Sequence, residues 1–181
     1  MCIRDRTFIK TASNDEAEGV VKRAYDGSLE MDGYVYETTR MLSPWPEALV
    51  IEARRYQVLM LDESNLTRAQ KEMIATAVSA KNHCEYCYTH HMASMINAGI
   101  EASLAQSIRD DYTTAAIDSK HRAMVEFSTM ERPDQASQEH VDKLRKRGWS
   151  DRQILEIVII TALFEDYNAR VNLLGLELET D

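Results

Sequence analysis

The sequence predicts an all-α protein, and three observations support this fold class. Apolar residues recur at helical spacing along most of the 181-residue chain, as they do on the buried face of an α-helix. Polar start signals and glycine stops separate these segments at helix-length intervals. No segment shows the alternating pattern typical of a strand, and no internal repeat is visible.

Composition indicates an ordinary globular protein. The chain is 44% hydrophobic and 28% charged, and its length suits one domain with its own core. The net charge of −9 argues against a nucleic-acid partner, because phosphate binding requires a basic surface. The longest apolar runs, such as residues 157–160, are far shorter than the roughly 20 residues that span a membrane.

The cysteines point to a reducing compartment. The chain has three, and no charged segment leads into an apolar core as in a secretory signal. A secreted disulfide framework is therefore not expected, and we predict a cytoplasmic protein. In that compartment a C-x-x-C motif is usually redox-active or metal-binding.

The first six residues, MCIRDR, look like the translation of a transposase adapter used in sequencing libraries. We expect residues 1–6, Cys2 included, to be foreign to the natural protein and to carry no information about the fold. Residues 7–181 are then expected to form a single all-α domain. Its first helix is predicted over residues 14–26, with Gly27 as the stop.

Capping motifs locate two later helices. Thr67 and Gln70 form a T-x-x-Q capping box, which predicts a helix running to about residue 80. Ser150 and Gln153 form a similar box before the longest helix, predicted over residues 151–174 and apolar almost all round, as in a helix buried from several sides in a core or at a subunit contact. An extended loop is predicted over residues 33–43, and further helices over residues 47–61, 101–109, 118–130 and 137–147.

The stretch from residue 72 to residue 99 carries the strongest chemical signal. Cys84, Cys87 and His91 are spaced C-x-x-C-x-x-x-H, which places them on one face of a helix. Asn82 and Glu85 have the spacing of an N-cap and its capping-box partner. The cysteines would then lie in the first turns of that helix, where the helix dipole favours a reactive thiolate.

Thiol redox chemistry is the interpretation that this pattern favours. Cys87 and His91 are one helical turn apart and could share a proton, and Cys84 is close enough to form a disulfide with Cys87. Glu72, beside the buried stripe of the preceding helix, could hold the imidazole if the two helices pack face to face. Inert buried thiols are the plainer alternative.

Zinc is another alternative, with His83 or His90 completing a site formed by Cys84, Cys87 and His91. Structural zinc usually draws its ligands from two separated pairs. The sequence contains no second C-x-x-C and no H-x-x-x-H. One short helix would have to supply nearly every ligand, so we predict no metal site.

The segment resembles the alkylhydroperoxidase AhpD-like, carboxymuconolactone decarboxylase superfamily, and in particular its peroxidase-related enzymes. The resemblance rests on Glu72, eleven intervening residues, Cys84-x-x-Cys87 and His91. It extends to the helix over residues 151–168 and to the Leu-Gly-Leu-Glu tail after it. The departure is Tyr86, where the peroxidase proper carries a histidine between its cysteines.

The resemblance implies an all-α bundle that forms homo-oligomers and a thiol peroxidase that needs no cofactor. Cys87 would attack the peroxide, Cys84 would resolve the product, and Glu72 with His91 would relay protons. The implied partners are a peroxide substrate and a dithiol or protein reductant. The decarboxylases of the superfamily lack the C-x-x-C, so lactone decarboxylation is disfavoured. The competing functions are a non-catalytic redox sensor and a protein-disulfide oxidoreductase.

Overall fold

The computed structural model describes residues 7–179, so the predicted adapter segment 1–6 lies outside the described residues. Within that range the secondary structure is helical and contains no β-strand, as the sequence predicts. The α-helices of this part of the chain are α1 (Gly19–Asp32), α2 (Glu37–Arg40), α3 (Pro46–Tyr56), α4 (Arg68–Lys81), α5 (Glu85–Asn97), α6 (Ala102–Asp111), α7 (Ser119–Ser128), α8 (Gln138–Lys146) and α9 (Asp151–Leu174). A π-helical turn, Gln57–Leu61, follows α3, and a 3-10 turn, Pro133–Gln135, precedes α8.

The chain divides into two compact units, Met1–Val58 with Arg170–Asp181 and Leu59–Ala169. In the first unit, α1 packs against α3. The buried core of this unit consists of Ala17, Val21, Tyr25, Val35 and Leu49. The single domain expected from the sequence stays a prediction.

In the second unit, α4 is the central helix. Every residue from 71 to 79 is buried, and α4 packs against α5, α6 and α7. The predicted capping box is confirmed: the Gln70 backbone N–H donates to the Thr67 hydroxyl at 3.3 Å, and the Thr67 N–H donates to the Gln70 side chain at 2.9 Å. This helix therefore provides a fixed, buried support for polar groups.

The longest helix, α9, has the predicted bounds. Its predicted start is also confirmed, since the Ser150 and Gln153 side chains each accept from the other's backbone N–H. The sequence predicts burial on several sides of α9, but only one side is buried. Ile157, Ile160, Leu163 and Phe164 are buried, whereas Leu155, Val158 and Ile159 are exposed. None of the helices in residues 7–179 is long and apolar enough to cross a membrane.

The prediction for α1 was wrong by about one turn. Residues 14–16 form a turn instead of a helix start, because Ser13 and Glu16 bond each other's backbone N–H. Gly27 lies inside α1, which ends only at Gly33, where φ is +82°. A glycine inside a helix costs only about 1 kcal/mol, so Gly27 does not stop the helix.

Two other boundaries differ from the prediction. The loop expected over residues 33–43 contains the short helix α2. The helix expected over residues 47–61 is α-helical only to Tyr56 and then widens into the π-helical turn. Neither change moves the segment that carries the cysteines.

Candidate active site

Cys84 and Cys87 lie at the start of α5, but the helix cap differs from the prediction. Asn82 does not begin α5; it ends α4, with φ of −84° and ψ of 6°. Cys84 is itself the N-cap, and Glu85 is the first helical residue. The prediction was wrong because α4 continues through Lys81, which leaves Asn82 no extended conformation from which to cap a new helix.

A tight turn between α4 and α5 positions Cys84. The backbone N–H of His83 donates to the Ala80 carbonyl at 3.1 Å, and that of Cys84 donates to the Ser79 carbonyl at 2.9 Å. This pair of bonds is a Schellman ending, in which the position of His83 is usually taken by glycine. His83 has φ of +53°, the one positive φ of a non-glycine residue among residues 7–179. The backbone is therefore strained directly before the dithiol.

Both cysteines of the C-x-x-C motif are buried, and no disulfide joins them. The pKa of Cys84 lies below the ordinary value of a thiol, chiefly because the Cys87 thiol donates a hydrogen bond to it. Burial opposes this lowering, while the Cys87 backbone N–H and the Asn168 amide add to it. The negative charge of the reduced pair is therefore favoured on the Cys84 sulfur.

Glu72 is a buried carboxylate with a partner for each oxygen. Its side chain is 0% exposed. Oε1 accepts a hydrogen bond from Arg68 Nε at 2.6 Å, and Oε2 lies 2.7 Å from His91 Nδ1. A buried charge requires such partners. The packing of α4 against α5 thus brings together Glu72 and His91, which are separated by 19 residues in the sequence.

The contact with Glu72 determines the tautomer of His91. A carboxylate only accepts hydrogen bonds, so Nδ1 carries the proton and Nε2 of the neutral ring keeps its lone pair. The ring is 13% exposed and meets Phe164 edge-on, with the ring centroids 4.5 Å apart. With that lone pair His91 could act as a base, and it lies one helical turn after Cys87.

The other aromatic groups of this segment are arranged differently. Tyr86, between the cysteines, is buried, and its ring lies 4.5 Å from that of His90. His83 is exposed. Over residues 7–179, no group of three or more His, Cys, Asp or Glu side chains could hold a metal ion. The zinc alternative has no site in this part of the chain.

Two polar groups of the site, Arg68 and Asn168, are not among the residues predicted from the sequence. Arg68 precedes Glu72 by four residues, and this i, i+4 spacing of opposite charges could have indicated the pair. Asn168 bonds Ser79 across 89 residues of sequence. No local pattern indicates a contact over such a separation.

Comparisons with known proteins point to one family. The family model of the carboxymuconolactone decarboxylase family matches residues 50–124. This segment contains Glu72, Cys84, Cys87 and His91. No curated protein matches the sequence.

Solved structures share the fold over nearly the whole chain. The AhpD core of a peroxidase-related protein from Ralstonia eutropha JMP134 is 23% identical, with a TM-score of 0.91 over 97% of this chain and 94% of that one. A peroxidase-related protein from Silicibacter sp. TM1040 is 24% identical, with a TM-score of 0.86 over 98% and 94%. The debrominase Bmp8 in complex with 2,3,4-tribromopyrrole is 16% identical, with a TM-score of 0.80 over 96% and 92%. The segment that carries the cysteines therefore resembles the carboxymuconolactone decarboxylase family, and the chain has the AhpD-like fold.

Proposed function

We propose that this protein is a thiol-dependent peroxidase that reduces small organic peroxides or hydrogen peroxide. Cys84 and Cys87 would cycle between dithiol and disulfide, and Glu72 with His91 would relay the protons. The observation that carries the proposal is the 2.7 Å contact between the buried Glu72 carboxylate and His91 Nδ1, one helical turn from the reduced C-x-x-C pair. Two structures of the same fold belong to peroxidase-related proteins, which supports the same reaction class.

In the first step, His91 Nε2 takes the proton of the Cys87 thiol. The Cys87 sulfur attacks the terminal peroxide oxygen, so that an S–O bond forms and the O–O bond breaks. The leaving alkoxide takes the proton back from His91, which yields an alcohol and a Cys87 sulfenic acid. Sulfur is oxidised and the peroxide is reduced by the same electron pair.

In the second step, the Cys84 thiolate attacks the Cys87 sulfur. The S–S bond forms, the S–O bond breaks, and the departing hydroxide takes a proton to become water. A dithiol or protein reductant then exchanges with the disulfide, is itself oxidised, and restores both thiols. The reducing cytoplasm predicted from the cysteine content would supply such a reductant.

Cysteine variants test the two roles. Cys87→Ser should abolish peroxide consumption, whereas Cys84→Ser should still react once and leave a sulfenic acid that a trapping reagent labels. Cys2→Ser is the matched control, because Cys2 lies in the predicted adapter segment; it should keep full activity. Equal loss in the Cys84 and Cys87 variants, with no trapped intermediate, would contradict the assignment.

A non-catalytic redox sensor or protein-disulfide oxidoreductase is the competing proposal. The buried position of both thiols is compatible with it, since a sensor requires disulfide formation but no rapid turnover. Multiple turnovers with a dithiol reductant distinguish an enzyme from a sensor. A disulfide that forms once and awaits a specific protein would favour the competitor.

We also propose that the protein forms a homo-oligomer, as the resemblance implies. Leu155, Val158 and Ile159 of α9 are 50%, 44% and 37% exposed, and a second copy would remove this apolar surface from water. Light scattering should give a mass above that of one chain, and Leu155→Lys should lower it. A monomer at every protein concentration would refute this proposal.

A further inference from the structure

A chain of side-chain hydrogen bonds leads from the end of α4 and the surface of α9 to the buried Ser79, whose backbone carbonyl accepts from the Cys84 N–H. It begins at Glu165, whose Oε2 accepts from Asn82 Nδ2 at 2.9 Å and whose Oε1 pairs with Lys81 Nζ at 3.1 Å. The next link joins Asn82 Nδ2 to Asn168 Oδ1 at 3.1 Å. Asn168 is 1% exposed, so the chain runs from a half-exposed carboxylate into the interior.

The carboxylate at the start of this chain fixes the orientation of both amides. Glu165 can only accept hydrogen bonds, so Asn82 must turn its NH₂ group toward it. The same NH₂ group then donates to Asn168, which must turn its oxygen toward Asn82. The NH₂ group of Asn168 is thereby left to face the opposite side.

On that side lie Ser79 and Cys84. Asn168 Nδ2 donates to Ser79 Oγ at 2.9 Å, and the Ser79 carbonyl accepts from the Cys84 backbone N–H. The Cys87 thiol is the main cause of the lowered pKa of Cys84, and the Asn168 amide adds to it. An N–H donor favours a thiolate, whereas a carbonyl oxygen in the same place would favour a thiol.

We propose that Asn168 is a positioning residue that adds to the preference of Cys84 for the thiolate, and that Glu165 holds the Asn168 amide in the required orientation through Asn82. The inference rests on the proposed function, in which Cys84 closes the disulfide. A larger thiolate fraction at Cys84 speeds its attack on the Cys87 sulfenic acid, because the thiolate is the attacking form. The polar chain thus shortens the lifetime of the intermediate that further peroxide would oxidise irreversibly.

The first test measures the titration of the thiolate by its ultraviolet absorbance, which requires no access to the buried sulfur. All variants carry Cys2→Ser. In Asn168→Leu the titration midpoint should move to higher pH, and disulfide closure after one equivalent of peroxide should slow roughly tenfold, as expected for the loss of a hydrogen bond to a charged group. A folded Asn168→Leu protein with an unchanged midpoint would overturn the proposal.

The second test reverses the charge at Glu165 and reads the direction in which the thiolate titration midpoint moves. Glu165 is far enough from the core for the substitution to preserve folding. In Glu165→Lys the new ammonium group can only donate, so Asn82 and then Asn168 should flip and present an oxygen to Cys84. The midpoint should then rise. Simple attraction between a lysine and a thiolate predicts the opposite, a fall, and Asp166→Lys measures that effect one residue further along α9.

The outcomes divide cleanly. A midpoint raised by Glu165→Lys and not by Asp166→Lys supports the oriented amide chain even if Asn168→Leu does not fold. A midpoint that falls or stays constant in Glu165→Lys refutes it. Because the titration uses no peroxide, a protein without peroxidase turnover can still pass or fail, so the two proposals fail separately.

Discussion

Replacing Glu72 with glutamine tests the relay sharply, because a glutamine cannot serve both neighbours of this carboxylate. Arg68 has only donors, so the glutamine must turn its oxygen toward Arg68 and its NH₂ group toward His91. His91 Nδ1 must then accept a hydrogen bond, and the ring proton moves to Nε2. The variant therefore keeps the shape of the site but places His91 in the tautomer that cannot take a proton from Cys87.

The expected effect on catalysis is large. A positioned general base contributes about 10²- to 10⁴-fold to a rate. We therefore expect kcat/KM for peroxide to fall by at least about 10²-fold, equivalent to about 2.7 kcal/mol of transition-state stabilisation. The free energy of unfolding should fall by only about 1–2 kcal/mol, because Arg68 is 39% exposed and its ion pair is screened by water.

Steady-state peroxide consumption with excess dithiol measures the first quantity, and thermal or denaturant unfolding measures the second. Glu156→Gln is the matched control. Glu156 is also mostly buried, 10% exposed, and is paired with an arginine four residues earlier, Arg152, at 2.8 Å. It makes no contact assigned to the thiols, so the control should lose stability while keeping kcat/KM.

A second substitution distinguishes the tautomer from a general loss of charge. In the double variant Arg68→Met with Glu72→Gln, the glutamine oxygen is free to face His91, and Nδ1 can donate again. Activity should recover in part. Full activity in the single variant Glu72→Gln, or no recovery in the double variant of a folded protein, would refute this account of the relay.

Four further outcomes follow from the structure. His83→Gly should leave the free energy of unfolding unchanged or raise it by up to about 1 kcal/mol, since glycine accepts φ of +53° without strain, whereas His83→Val should lower it by about 1–2 kcal/mol; denaturant titration checks both. Thr67→Ala removes a capping bond and should cost about 1 kcal/mol in the same assay. Ile157→Ala should cost about 2–5 kcal/mol, because Ile157 is fully buried. The Cys87 thiol holds the pKa of Cys84 below its ordinary value. The stability contributed by the Cys84 thiolate is therefore complete above the ordinary thiol pKa and is lost as pH falls through the lowered pKa. The Tm difference between wild type and Cys84→Ala, measured against pH, should follow this course.

Local signals in the sequence located the starts of α4 and α9, where the capping chemistry is self-contained. The boxes at Thr67 and Ser150 each involve residues three positions apart, so a short window contains the whole interaction. The start of α5 failed because it depends on where α4 ends. A window around Asn82 and Glu85 has the spacing of a cap but carries no information about the Schellman turn that ends α4 at Asn82.

The cluster of candidate-site residues could be predicted in part for the same reason. Cys84, Cys87 and His91 lie on one helix, and helical spacing alone places them together. The pairing of Glu72 with His91 depends on the packing of α4 against α5. Sequence spacing does not determine this packing, so the pairing could be predicted only on the condition that the two helices pack face to face. Tertiary packing brings Asn168 to Ser79, which lies 89 residues earlier in the sequence. Asparagine in a long helix has no distinctive local pattern.

The central claim is that Cys84 and Cys87 form a catalytic redox pair. It is tested most directly by steady-state consumption of hydrogen peroxide and cumene hydroperoxide with excess dithiol, together with the intact mass after one equivalent of oxidant. A catalytic pair should give multiple turnovers and should lose two hydrogens as the Cys84–Cys87 disulfide forms. Absence of both turnover and disulfide would contradict it and would leave the two buried thiols as structural groups.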